Sequence, residues 1–353
     1  MNYIGSKKSL LPFIEKSVKE IIRDDCETFC DIFAGTGIVG SHFKKMGYSI
    51  IANDFQYYSY ALNKHYIGNH RELEFEGLKG IFPQIKKTEL PKRRKAVCDY
   101  LSDLPLVEGF IFNNYSLEGT KGKEFERNYY SSENAKKCDT IRLKIEEWKD
   151  RGLITAGEYF FLITSLLENI DRHSNTASVY GAFLKKLKKS AQKTFELKPA
   201  ELFLNDKEHR VYNEKVENII SDLEVDVLYL DPPYNQRQYA PNYHMLETIA
   251  KYDNPKIKGK TGLRDYSTQK SDYCVRGRVK QAFSELIKNA KARYIFLSYN
   301  NEGLMNIEEI RKIMSDKGEY GCFTQDYNRY KADNGRVYSS NSTVEYLHYC
   351  ICR

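Results

Sequence analysis

Two stretches near the start constrain the fold more than anything else in the chain: "TFCDIFAGTGIVG", Thr28 to Gly40, and "YSIIAND", Tyr48 to Asp54. Each opens as a short apolar run. The first run enters a glycine turn and the second stops at an acid. Apolar runs bounded in this way read as buried strands. Strand, glycine turn, helix and strand in this order close as a parallel βαβ unit, whose crossover is right-handed. A helix is expected ahead of it, because Leu10, Leu11, Phe13, Ile14, Val18, Ile21 and Ile22 recur at helical spacing. The same alternation resumes late in the chain. "HRVYN" (209–213), "VDVLYL" (225–230) and "ARYIFLS" (292–298) read as strands, and 319–326 with 343–352 as a closing hairpin. The expectation is an α/β fold with a mostly parallel sheet closed by an antiparallel hairpin.

Between these segments the alternation breaks. Residues 65–205 are rich in Lys, Tyr and Asn, with helical patterns around 134–149 and 156–171 and a basic run, "LKKLKKSAQK", at 184–193 that reads as a solvated helix face or as a contact for phosphates. We expect an inserted, mainly helical region at 65–205, with 1–64 and 206–353 forming the ligand-binding and catalytic domain. A polar loop at roughly 253–275 is long enough to be functional or mobile.

The turn contains Gly35-x-Gly37-x-x-Gly40, the glycine spacing of a nucleotide-binding strand–turn–helix. Asp54, at the end of the next strand, is placed to accept hydrogen bonds from ribose hydroxyls. An NAD-like dinucleotide and S-adenosylmethionine both fit these features, and a bare structural turn fits the glycines alone. Asp31 and Phe33, just before the first glycine, favour S-adenosylmethionine: a pyrophosphate gains nothing from a carboxylate there, whereas an amino-acid ammonium does.

"LYLDPPYN", Leu228 to Asn235, ends a strand in an acid, two prolines and an aromatic ring. Prolines cannot donate to a ladder, and they fix the direction of the chain. Ligands of open α/β sheets bind beyond the carboxyl ends of the strands. Asp231 is an acceptor at such an end, the Asp231-Pro232 carbonyls are held in direction by the proline ring, and Tyr234 offers a face for stacking. Two acceptors and a ring suit an exocyclic amine on a planar base, adenine or cytosine. The bland alternative is a proline turn that only stops a strand.

These motifs, "DPPY" after a strand, "DIFAGTG" before it and "YIGSK" at the N-terminus, resemble the amino-methyltransferases of DNA, in the order found in Dam-type adenine enzymes. The phrases "YLDPPYNQRQYAPNYHMLETI", "YGAFLK" and "LSYNNEGL" resemble a restriction–modification subgroup. The resemblance spans nearly the whole chain and is diffuse in the insert. It implies a Rossmann-like, S-adenosylmethionine-dependent fold in which the insert recognises the DNA target. It implies that Tyr3 and Lys7 help to hold the cofactor and that Phe33, Gly35 and Gly37 line its methionine end, with Asp54 on the ribose. Asp231, Pro232, Pro233 and Tyr234 become the catalytic turn, acting directly on an adenine swung out of the duplex, with Asp231 also among the cofactor-binding residues. No metal is implied. The substrate is double-stranded DNA, a cognate restriction endonuclease would act as a separate chain, and a monomer is the expected state.

Composition agrees with a cytoplasmic enzyme of this kind. A net charge of +7 leans toward a polyanionic partner. The eight cysteines lie scattered without a paired CxxC array, as reduced thiols do. The N-terminal "MNYIGSKKSLLPFIEK" has no long apolar stretch, and "YFFLITSLL" (159–167) is too short to span a bilayer. The rival activities are methylation of DNA cytosine, RNA or a protein amide, an NAD-dependent dehydrogenase, and a DNA-binding module without chemistry. "DPPY" counts against the last two, and Asp rather than Asn at 231 favours DNA.

Overall fold

The computed structural model describes residues 4–328 and 342–353. Tyr3 lies outside the described residues. Two compact units emerge, one of 4–63, 205–239 and 268–353, the other of 64–204 and 240–267.

The strands, in chain order, are β1 (Thr28–Asp31), β2 (Ser49–Asn53), β3 (Arg210–Tyr212), β4 (Glu224–Leu230), β5 (Ile257–Lys258), β6 (Leu263–Arg264), β7 (Lys291–Asn300), β8 (Gly318–Asn328) and β9 (Ser342–Cys352). Seven of them build the first unit around a sheet of order β3-β2-β1-β4-β7-β9-β8. From β3 to β7 along this order the strands are parallel. The last two form the antiparallel hairpin, with β9 antiparallel to β7 as well. The apolar runs sit in the sheet because both of its faces are covered, which is what a continuous rather than alternating pattern demands. On one face Cys30, Leu228, Ile295 and Cys350 pack with Phe283, Leu286, Ile310 and Met314 of the helices Val279–Asn289 and Ile307–Ser315. On the other, the Phe29 ring stacks on Phe43 of the helix Ile38–Lys45 at 3.9 Å between centroids. The frame aligns Asp31, Asp54 and Asp231 at or just beyond the ends of β1, β2 and β4.

The second unit is mainly helical. Its two long helices, Ser132–Asp150 and Ala156–Arg172, carry their own start signals. Ser131 accepts from the Asn134 amide, and Thr155 with Glu158 forms a capping box. Arg142 is buried and gives the helix Tyr239–Lys251 its C-terminal partner: Nε donates to the Ile249 carbonyl at 2.8 Å and Nη2 to Ala250 at 2.9 Å. Those carbonyls have no intrahelical donor, so a charge-assisted bond there replaces water.

Three expectations change. Ala240–Ser267, which the sequence assigns to the catalytic domain, belongs to the helical unit. Arg142 and His244 show why. His244 is buried and its Nε2 bonds the Tyr180 carbonyl at 3.0 Å. Burial pushes its pKa down to about 4, so it is a neutral structural imidazole. The polar loop is partly a hairpin of β5 with β6. Arg127 holds its turn through the Gly259 and Lys260 carbonyls, and the Tyr115 hydroxyl holds Gly262. The basic run is helical only over Lys189–Gln192. Asparagine side chains take its backbone groups instead: Asn175 Nδ2 donates to Leu184 O, its Oδ1 accepts from Lys188 N, and Asn134 Nδ2 donates to Lys193 O. No described helix is long and apolar enough to cross a membrane.

Candidate active site

The glycine turn is a shaped cradle. Gly35 and Gly37 both adopt left-handed backbone, at φ 51° and 75°. That region penalises a Cβ. A Cβ on Gly37 would also lie 2.7 Å from Asn63 Oδ1. Asn63, at the end of the helix Tyr57–Asn63, braces the turn by donating through Nδ2 to the Gly35 carbonyl at 3.0 Å. Asp54 braces it from the other side: Oδ2 accepts from the Gly35 amide and Oδ1 from the Gln56 amide, both at 2.9 Å. A carboxylate oxygen can accept more than one hydrogen bond, so a group that braces a turn can also serve a ligand.

Asp31 sits beneath the cradle, buried, with Oδ2 accepting from the Gly40 amide at 3.1 Å. Burial first, then the charges of Asp231 and Asp54, pushes its pKa up to about 8. A buried carboxylate that holds its proton at neutral pH is poised for a cation. Gln56 has both side-chain amide atoms buried, and Asn63 has its Oδ1 buried, with no hydrogen-bond partner among the described residues. Orphaned polar atoms in native structures call for an explanation. Asn63 Oδ1 lies against the turn at Gly37.

Phe33 meets Tyr273 edge-on at 5.1 Å, closing one wall. The acid-proline-proline-tyrosine turn follows β4. Pro232 is buried, and Asp231, Pro233 and Tyr234 are partly exposed. The turn is held in shape from outside, since the Leu304 amide donates to the Tyr234 carbonyl at 3.0 Å. The Tyr234 ring stands edge-on to Tyr299 at 6.3 Å, with Lys7 Nζ 5.7 Å from its centroid.

Lys7 reaches Asp231 Oδ1 at 3.0 Å and Glu345 Oε1 at 3.5 Å. The Lys7 and Glu345 side chains are 5% and 7% exposed, while Asp231 keeps 19% of its surface open to a ligand. Burial alone would lower the lysine pKa, but the two carboxylates outweigh it and raise it well above its usual range. Burial raises Asp231 to about 6; Lys7 opposes the shift and Glu345 adds to it. The ammonium is therefore charged at all working pH, and Asp231 ionises just below neutrality.

The structure thus brings together Lys7, Asp31, Gly35, Gly37, Asp54 and Asp231 in one unit, with Phe33 and Tyr234 on its walls. Sequence reasoning missed Gln56, Asn63, Ser298 and Glu345. Gln56 and Asn63 had a local signal, because both follow the acid that ends β2 and share one helical face.

Residues 3–313 match the family of D12 class N6 adenine-specific DNA methyltransferases. The chain is 46% identical to the type II methyltransferase M.NlaIII of Neisseria lactamica over 352 residues, covering 99% of this chain and 98% of that protein. It is 38% identical to the type II methyltransferase M.FokI of Planomicrobium okeanokoites, covering 99% of this chain and 52% of the longer relative. It is 32% identical to the type II methyltransferase M.CviAII of Paramecium bursaria Chlorella virus 1, covering 98% and 97% of the two chains. The chain therefore belongs to the D12 class of N6 adenine-specific DNA methyltransferases.

Proposed function

We propose that this adenine methyltransferase modifies one short duplex sequence as the protective arm of a restriction–modification system, drawing its methyl group from S-adenosylmethionine. The observation that carries the reading is the alignment of a cation-seeking carboxylate, Asp31, the glycine cradle and the Lys7-bound Asp231 along adjacent strand ends. The cradle fits the cofactor. Asp31 suits its ammonium, Asp54 its ribose hydroxyls, and Gly35 and Gly37 let it approach the backbone. When bound, the cofactor supplies an electrophilic methyl group.

The chain's own residues prepare the nucleophile. Asp231 and the Pro232 carbonyl accept the two hydrogens of the adenine amine, which concentrates electron density on its nitrogen. Tyr234 stacks on the flipped ring, and its position fixes the amine against both acceptors. Lys7 keeps the Asp231 carboxylate ionised at neutral pH. Asp231 is the acceptor for the proton that the amine loses.

Asp31 makes the cofactor assignment testable. In the free protein it holds its proton up to about pH 8, so binding a cation at pH 7 releases that proton. Affinity for S-adenosylmethionine should then rise about tenfold per unit from pH 6 to 8 and level off above. The same upward shift works against the free fold: stability falls as pH rises from the ordinary carboxylate range through about 8. Calorimetry in buffers of different ionisation enthalpy reads the proton directly. Affinity that is flat across this range would contradict the assignment of Asp31.

The helical unit supplies target recognition in this reading. Its cleft is lined by Lys121, Lys185 and Lys186 together with Glu118 and Glu126, and the three lysines carry the chemistry of phosphate binding. Lys185→Gln with Lys186→Gln should weaken DNA binding without moving the methylated sequence. The slope of log affinity against log salt should fall by roughly two, one for each phosphate no longer neutralised. An unchanged slope would place the DNA elsewhere. The protein is expected to act as a monomer, each half-site being methylated in turn, with its nuclease a separate chain.

A further inference from the structure

Lys7 is one ammonium shared by two carboxylates, the partly exposed Asp231 and the buried Glu345. Asp231 arrives from the end of β4, and Glu345 from β9, with β7 lying between those strands. Glu345 pairs with Asn300 across β7. Its Oε1 is held by the Ser298 hydroxyl of β7 at 2.6 Å. Ser298 itself is buried at 1% exposure. A buried carboxylate is expensive unless it is paired and hydrogen-bonded, and this one is both. Yet the group carries one more negative charge than positive, before counting Asp31. An arrangement serving stability alone would need only one acid for Lys7.

The surplus charge has a consequence at Asp231. An isolated Lys7–Asp231 pair would close on itself and spend the acceptor strength of Asp231 on the ammonium. A second carboxylate, fixed by Ser298 on the far side, draws the ammonium partly away. Asp231 then keeps lone-pair density toward its exposed side, where a target amine arrives. The charged and titratable groups facing Asp231 are Lys7 from the N-terminal segment, Asp31 from β1, Tyr229 from β4, Tyr234 from the turn and Glu345 from β9. Of these, only Glu345 is both negative and in contact with Lys7.

We propose that Glu345, held by Ser298, is a positioning residue for methyl transfer: it shares the Lys7 ammonium and so keeps the Asp231 carboxylate available to the adenine amine. The proposal rests on the reading of Asp231 given above. It adds a residue from the closing hairpin to a site otherwise built from the parallel strands.

The test is single-turnover methylation of unmethylated genomic DNA by the full chain preloaded with S-adenosylmethionine, between pH 5 and 9. Glu345→Gln keeps the shape and removes the charge. The rate at neutral pH should fall at least about tenfold, the effect of one charge that shifts a neighbouring group by about one pKa unit. Cofactor affinity should stay within about twofold. The acid limb of the rate profile should move to lower pH, because Asp231 loses a negative neighbour that raises its pKa. Glu345→Asp should restore part of the rate. Ser298→Ala, which leaves the charge and removes its anchor, should lower the rate in the same direction by less, and it decides the matter should Glu345→Gln fail to fold. A wild-type rate with an unmoved acid limb would overturn the proposal. So would a parallel loss of rate, cofactor affinity and thermal stability, the mark of a merely structural acid. Asp231→Asn run alongside separates the two readings: if it keeps full rate, the assignment of Asp231 fails first.

Discussion

Replacing Asp231 with alanine should lower the rate of methyl transfer by at least about 10³-fold while leaving S-adenosylmethionine affinity intact or slightly improved. Removing one acceptor aimed at a reacting group in a water-excluded site costs about 10² to 10³ in rate. In the proposed role Asp231 is such an acceptor and also orients the amine, so the larger figure applies. The retained affinity follows from the neighbouring acid. Asp231 is one of the charges that raise the pKa of Asp31, and its loss makes Asp31 easier to ionise for a cation. Single-turnover rates paired with calorimetric binding separate the two effects. Asp231→Asn keeps the shape but loses the charge, and it should fall between wild type and alanine. A variant that loses cofactor binding and rate together would mean that Asp231 belongs to the cradle rather than to the chemistry.

Gly37→Val should abolish cofactor binding at working concentrations, a loss of about 10³-fold. Two costs add. A β-branched residue at φ 75° is strained by about 1–3 kcal/mol. Its Cβ would also sit 2.7 Å from Asn63 Oδ1, and Asn63 cannot yield without releasing the Gly35 carbonyl. Overpacking of that kind costs roughly a further 1–3 kcal/mol. The sheet lies outside the disturbance, so the circular dichroism of the variant should match wild type. The upward shift in melting temperature that S-adenosylmethionine confers on the wild type should vanish. A variant that still melts higher with the cofactor would place the ligand away from this turn.

Much of this site can be read in the sequence, for identifiable reasons. The parallel strands announce themselves because burial on both faces makes them continuous apolar runs. Gly35 and Gly37 are legible because only glycine tolerates their backbone. The prolines after Asp231 are legible because they forbid the strand from continuing. Glu345 is not legible. Its role depends on Lys7 and Ser298, which are distant in sequence and meet it only when β7 and β9 pair. Nothing in "STVEYLHYCIC" sets that acid apart from a solvated one. The basic run 184–193 misleads for a related reason. Its charge pattern suits a helix, but Asn134 and Asn175 satisfy its backbone from outside, and side-chain caps of that sort leave no periodic trace. Ala240–Ser267 reads as a continuation of the catalytic turn, yet Arg142 ties the end of its helix to the helical unit.

We propose that Asp231 presents the amine of an adenine in one short duplex sequence to S-adenosylmethionine held at the glycine turn. The most direct test is expression in a host without DNA methylation, followed by modification-sensitive long-read sequencing of its DNA beside the Asp231→Ala variant. N6-methyladenine is expected at a single recurring motif, present with the wild-type chain and absent with the variant. Unmodified DNA from a folded, cofactor-binding protein would contradict it, as would a methylation pattern that survives the loss of Asp231.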